Sequence, residues 1–237
     1  IKALRSGRYD PGSVAIGLTQ TGGQCRASNY VPLLRKALVA AGYAGVPAVS
    51  VSTSQKHQNE QPGFSLNSGT LMRTGLWAIA YGDALARMYY STSARELQTG
   101  SAEQLVAQYA TVASAAFRRG DPDTVLALLS SAVGEFNAIP VRPGPLPRVG
   151  IVGEIYVKYN EFSNNGLLHW LRTQGVEVDL PPLLDFFTQW FVNVDADRQC
   201  LLARPSLSAA LASVAERAVE SRLDRLESIL ENYVRYR

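Results

Sequence analysis

Short apolar runs alternating with helix-periodic stretches constrain the fold of this chain more than any other feature of its sequence. Ser13 to Leu18 (SVAIGL) is an apolar run followed by a Gly-containing turn, and from Ala27 to Ala41 the residues Tyr30, Leu34 and Leu38 recur at helical spacing. Gly42 and Gly45 then punctuate the chain before a second β-branched run, Val46 to Val51 (VPAVSV). Strand, helix, strand in that order predicts a β-α-β unit with parallel strands, because a helical crossover returns the chain to start its next strand in the same direction.

The middle of the sequence reads as helix. Leu71, Leu76, Ile79, Ala80 and Leu85 carry an apolar pattern through Leu66 to Tyr90 without a proline, and further helical patterns run from Ala102 to Arg119 and from Asp123 to Phe136. Gly120, Asp121 and Pro122 separate the last two. Asp121 can cap exposed amides while Pro122 occupies the first turn, where no donor is needed.

Ile139 to Pro147 (IPVRPGPLP) holds four prolines in nine positions. Each removes an amide donor and forces its neighbour towards extended geometry, so this segment is expected to be a linker. After it, Arg148 to Val152 (RVGIV) reads as a strand, Gly153 and Glu154 as a loop, Asn165 to Gln174 as a helix and Val176 to Leu180 (VEVDL) as a strand. A second β-α-β unit follows. From Ser206 to Arg237 a long helix is expected, with Val219, Leu223, Leu226, Leu230 and Tyr233 on one side. Two heptads of that pattern favour a core or interdomain helix over a coiled coil. The predicted fold is therefore α/β: two Rossmann-like subdomains with parallel sheets, residues 1–138 with the helical segment and residues 148–237 with the C-terminal helix, joined by 139–147.

Composition narrows the function classes. Lys and Arg number 23 against 20 Asp and Glu, a formal charge of +3 without a basic block, which gives no support for a nucleic-acid partner. No apolar run approaches the roughly 18 residues a bilayer span requires. Ile1 to Asp10 (IKALRSGRYD) has no apolar signal core, and the absence of an initiator Met suggests an internal fragment of a larger protein. Only Cys25 and Cys200 are present, too few for a disulfide framework, so a reducing compartment is expected.

Thr19 to Tyr30 (TQTGGQCRASNY) is the most informative segment for chemistry. Cys25 falls near the predicted helix start, where exposed amides favour a thiolate that can act as ligand or nucleophile; an ordinary buried thiol beside a Gly turn is the alternative. Gly22 and Gly23 permit close approach of a cluster or phosphate. Neither His57 nor His169 stands in a recognisable Cys-His protease context, and the paired Cys and His spacings of a zinc site are absent. Gly150 and Gly153 stand at a strand end, where α/β proteins place ligands, but neither the full GxGxxG fingerprint nor GxxxxGK[ST] occurs. Glu154, Asn164 and Asn165 either line a cleft or cap the next helix, with capping favoured for the asparagines.

Three strings carry a resemblance: TGGQCRASNYVPLLRKALVAAGY with VPAVSVS, YGDALARMYY, and RVGIVGEIYVKYNEFSNNGLLHWLRTQGVEVDLPPLLDFF. Together they resemble the 2-hydroxyacyl-CoA dehydratase and benzoyl-CoA reductase family, especially its large members that also carry activase modules, over most of residues 13 to 190. The resemblance implies a cytoplasmic, oxygen-sensitive system of anaerobic metabolism, in which an ATPase activator passes a low-potential electron to an iron–sulfur protein acting on an acyl-CoA. Cys25 matches the family's cluster-ligand cysteine. A 4Fe-4S cluster generally uses several Cys thiolates, and the remaining ligands would lie in other parts of the parent polypeptide. Cys200 matches no family motif and is expected to be a buried structural thiol.

The resemblance thus implies a fragment contributing one cluster ligand, Cys25, and part of a cluster or acyl-CoA cleft, with Gly22, Gly23, Arg26, Gly153, Glu154 and Asn165 as cleft candidates. Arg26 would hold a cluster or a CoA phosphate electrostatically, or is simply a surface cation near a helix start. By itself the chain is expected to be inactive. The competing expectation is a noncatalytic scaffold joining the activator to its target, since fold does not establish activity. An independent nucleotide-binding enzyme is disfavoured by the missing phosphate fingerprints.

Overall fold

The computed structural model of the chain describes residues 1–20, 29–52, 68–186, 188, 200, 221 and 223–235. Contacts divide the chain into two units, Ile1–Asn67 and Ser68–Arg237. The fold is mixed helix and strand, with short parallel strands in two small sheets.

In the first unit a short helix, α1 (Lys2–Arg5), precedes β1 (Ile16–Gln20), α2 (Tyr30–Ala40) and β2 (Ala48–Ser52). The two strands pair in parallel from Ile16 with Ala48 to Gln20 with Ser52, as the order of apolar runs predicts. Leu34 and Leu38, one turn apart on α2, pack with Leu4, Val46 and Ala48 into a small core. Gly42 adopts a left-handed φ of 83°, and the Tyr43 amide donates to the Leu38 carbonyl at 2.8 Å. That closes the helix end and aims the chain at β2.

The second unit begins with α3 (Ser68–Ser93), α4 (Ser101–Arg119) and α5 (Pro122–Ala138). Gly120 ends α4 in the left-handed region, and the Asp121 carboxylate accepts from the Thr124 amide at 3.1 Å to start α5. Ala102, Tyr109, Ala113 and Ala116 line the buried face of α4, and the small side chains of the three alanines let neighbouring helices approach closely. From α5 come Val125, Leu129, Val133 and Phe136, and from α3 Leu85 and Met88, in one continuous core. Burying a side chain as large as that of Phe136 stabilises by about 1.5–3 kcal/mol.

The expected C-terminal helix ends earlier than its apolar pattern suggests. Among the described residues, 221 and 223–230 are helical and 231–235 form turns, so Tyr233 lies beyond the helix end. The reason is tertiary: Asn137 of α5 donates to the Asn232 carbonyl at 2.9 Å and accepts from the Val234 amide at 3.0 Å, capturing groups a longer helix would use. Leu226, Leu230 and Tyr233 are nevertheless buried in the helical core, which is the core role the pattern favours.

The Pro-rich segment 139–147, expected to separate two domains, runs inside the second unit, and the contact-defined division falls at Asn67 and Ser68. Its first half is tied to the turn between α3 and α4: the Leu97 amide donates to the Pro140 carbonyl at 2.9 Å, and the Arg142 amide to the Arg95 carbonyl at 2.8 Å. Prolines lack donors, but their carbonyls still accept. The segment leads into β3 (Arg148–Gly150), α6 (Ile155–Tyr159), α7 (Leu167–Thr173) and β4 (Glu177–Asp179). β3 and β4 pair in parallel over three residues, and Ile151, Leu168 and Val178 form the small core beneath them.

Candidate ligand-binding groove

Asp83, Arg87 and Tyr90 recur on α3 at intervals of four and three, which puts them on one helical face. That face looks across a cleft of about 330 Å³ at the chain leaving β4, with Tyr159 and Glu161 on its far side. Pro181 and Pro182 stop the strand, since neither can donate to a ladder, and the chain turns into helical residues 183–186. Asp83 holds that turn: its two carboxylate oxygens accept from the Leu183 amide at 3.0 Å and the Leu184 amide at 2.8 Å. Tyr159 donates its hydroxyl to the Pro181 carbonyl at 2.5 Å, pinning the same segment from the opposite side.

Burial governs the electrostatics here. Desolvation pushes the Asp83 carboxyl above its ordinary range, with the nearby Asp185 adding to the rise and the two amides opposing it. The Tyr159 hydroxyl is pushed up to about 12 by burial and then by the charges of Asp83 and Asp185. Tyr90 is raised as well, chiefly by burial. This end of the cleft therefore offers neutral phenols and carboxylates, surroundings that disfavour a further negative charge.

A smaller cavity of about 90 Å³ adjoins it and shares Arg87, Tyr90, Asp179 and Leu180 with the cleft. Arg148, Glu177 and Arg235 line it too. Glu177 is buried, and burial of a carboxylate is tolerable only because it is paired: Arg95 holds one oxygen, and Arg148 donates to the other at 2.7 Å. Arg235 reaches in from the C-terminal turns, where Nη2 donates to the Phe136 carbonyl at 2.7 Å and Nε to the Tyr233 hydroxyl at 3.0 Å. Tyr233 in turn bonds Ser91 at 2.7 Å and Thr92 at 2.6 Å on α3, which fixes the base of the cavity.

Of the candidates read from the sequence, the described ones are not in the lining of this groove. Gly22, Gly23, Cys25 and Arg26 lie outside the described residues, as does His57. Glu154 does not line the cleft; its carboxylate accepts from the Val157 amide at 3.0 Å and caps α6. Asn165 holds a left-handed φ of 54° in the turn before α7, and Gly153 a φ of 137° after β3, so both serve the chain's path. Asn164 accepts from the Leu167 amide at 3.2 Å, the capping role expected of the asparagines. Cys200, expected to be buried, is exposed. Leu201 and Leu202 follow it but Arg198 and Gln199 precede it, so the local sequence does not by itself bury the thiol.

Asp83, Arg87 and Tyr90 were not among those candidates. The signal was present in YGDALARMYY: polar residues at helical spacing on a helix whose other faces are apolar. Their partners in the β4 exit stand about a hundred positions away, beyond the reach of local pattern reading.

Comparison with protein-family models, with curated proteins and with solved structures returns no match. Among the described residues no group of three or more His, Cys, Asp and Glu is placed to hold a metal ion. The whole sequence supplies two thiols, one of them the exposed Cys200, so its donor set does not fit a complete four-cysteine cluster. No described helix is long and apolar enough to cross a membrane.

Proposed function

We propose that this chain is part of an iron–sulfur protein of the acyl-CoA dehydratase and activase-related type, in which Cys25 supplies one cluster ligand and the groove beside α3 accommodates part of an acyl-CoA. In this reading the two β-α-β units are Rossmann-like halves. The other cluster ligands and the ATPase activator come from the rest of the parent or from partners in a reducing cytoplasm. The supporting observation is the origin of the cleft walls. Asp83, Arg87 and Tyr90 belong to one of the strings that carry the resemblance, and Tyr159, Glu161 and Asp179 to Leu183 belong to another. Two segments far apart in sequence meet at the carboxyl end of a parallel strand, where α/β proteins bind ligands.

The test is the iron and acid-labile sulfide content of the intact protein, purified and reconstituted without oxygen, beside its Cys25→Ser variant. A stoichiometric cluster that disappears in the folded variant supports the reading. Equal iron in both, or none in either, removes it.

A second reading, a noncatalytic scaffold joining an activator to its target, draws on one observation. Val152 and Phe162 leave 88% and 92% of their surface exposed on the connections flanking α6, a placement that suits docking of a partner. Such a protein would lose no iron on Cys25→Ser and would still bind the activator.

A further inference from the structure

We infer that the groove between α3 and β4 is a site for an organophosphate bound in one direction, its phosphoryl group at Arg87, Arg148 and Arg235 and its body in the wider cleft at Asp83 and Tyr159. The two cavities adjoin along Arg87, Tyr90, Asp179 and Leu180, which line both, and are taken together as one groove. Its ends carry opposite character. The wide end holds Asp83, Glu161 and the Tyr159 phenol, while the narrow end receives guanidinium groups from three separate parts of the fold: α3, β3 and the C-terminal turns.

The narrow end keeps an excess of positive charge after its internal pairs are formed. Even with Arg87 left out of the count, Arg95, Arg148 and Arg235 stand against Glu177 and Asp179, and the Glu177 carboxylate is shared between Arg95 and Arg148. Arg148 places Nε and Nη2 on Glu177, and Arg235 places Nε on Tyr233 and Nη2 on Phe136, so each guanidinium is oriented by two hydrogen bonds. Guanidinium groups fixed in advance lose little entropy when they meet a ligand. A carboxylate is satisfied by one fork, whereas several guanidinium groups approaching from different directions match the tetrahedral dianion of a phosphoryl group. The cavity of about 90 Å³ admits such a group but not the larger body attached to it, which must extend along Tyr90 and Leu180 into the cleft. The carboxylates at the wide end repel the reverse orientation.

This inference stands on the groove alone and holds whether or not Cys25 binds a cluster. Its probe is inorganic phosphate, titrated into the intact protein by calorimetry, beside Arg235→Gln, Arg87→Gln and, as a charge-matched control on the exposed surface of α4, Arg118→Gln. Saturable binding is expected, weakened about ten- to a hundredfold in either groove variant, as loss of a charge-assisted hydrogen bond predicts, and unchanged in the control. Arg87 is exposed, so its variant keeps the test open should Arg235→Gln fail to fold. Absence of saturable binding, or equal weakening in Arg118→Gln and the folded groove variants, overturns the proposal. Phosphate binding without a cluster would leave this site standing and remove the iron–sulfur reading.

Discussion

The two parallel strand pairs differ in what holds them. β1 and β2 pair over five residues and rest on the apolar face of the helix between them, with Leu34 and Leu38 of α2 against Val46 and Ala48. β3 and β4 pair over three residues, every residue of β3 is exposed, and the apolar contact with Leu168 of their own helix α7 is supplemented by polar support from α3 and the turn after it. Arg95 reaches Glu177, and Asp83 holds the chain that leaves β4. A pair completed by its own helix closes over itself. One that also relies on charged side chains from another element leaves a gap beside that element, and that gap is the groove.

The sharpest way to break this comparison is to damage the helical core. Phe136 is fully buried, and Phe136→Ala should cost about 3–5 kcal/mol. Hydrogen exchange should then show β3 and β4 losing protection with the helices while β1 and β2 keep theirs. Equal loss in both pairs would mean the first is not self-supporting.

Glu177→Ala is expected to rank next. It leaves Arg95 nearly buried without its carboxylate, at a cost of about 2 kcal/mol once the partial exposure of Arg148 is allowed for. Chemical denaturation measures the loss, and a neutral result would show that apolar contacts alone hold β4.

Asp83→Ala removes both acceptors of the Leu183 and Leu184 amides and should cost about 1–2 kcal/mol, with faster exchange at those two amides. The pH dependence has a definite sign. Because the folded Asp83 carboxyl is raised above its ordinary value, the folded state holds that proton more tightly than the unfolded chain does. The stability of the wild type relative to Asp83→Asn should therefore fall as pH rises from about 4 through the raised value. A difference that grows with pH would contradict burial as the dominant influence on this group.

The smallest effect is expected from Tyr159→Phe, which deletes one hydrogen bond to the Pro181 carbonyl and should cost about 0.5–1 kcal/mol. Between pH 10 and about 12 the wild type should lose more stability than the variant as pH rises, since the Tyr159 phenol is held neutral in the fold while the other raised tyrosines are common to both. Matched thermal melts of the two proteins across that range would detect it.

Much of the fold was legible because apolar periodicity and Gly and Pro punctuation act locally. The order strand, helix, strand could be read twice, and Asp121 with Pro122 announced the start of α5. Helix α6 was not legible, since five residues are too few to display a period, and the Glu154 that caps it read as a loop residue. Nor was the end of the C-terminal helix, which depends on Asn137, about a hundred positions earlier. The groove was the least legible part. Asp83, Arg87, Glu177 and Arg235 come together only after α3, β4 and the C-terminal turns have packed, and no local motif marks that meeting.

The most direct test of the account is equilibrium binding of an acyl-CoA thioester to the intact protein, followed in parallel with Arg235→Gln. The account predicts saturable binding that inorganic phosphate competes away and that weakens about tenfold or more in the variant. Absence of thioester binding to the folded protein, or binding that neither phosphate nor the variant disturbs, would contradict it.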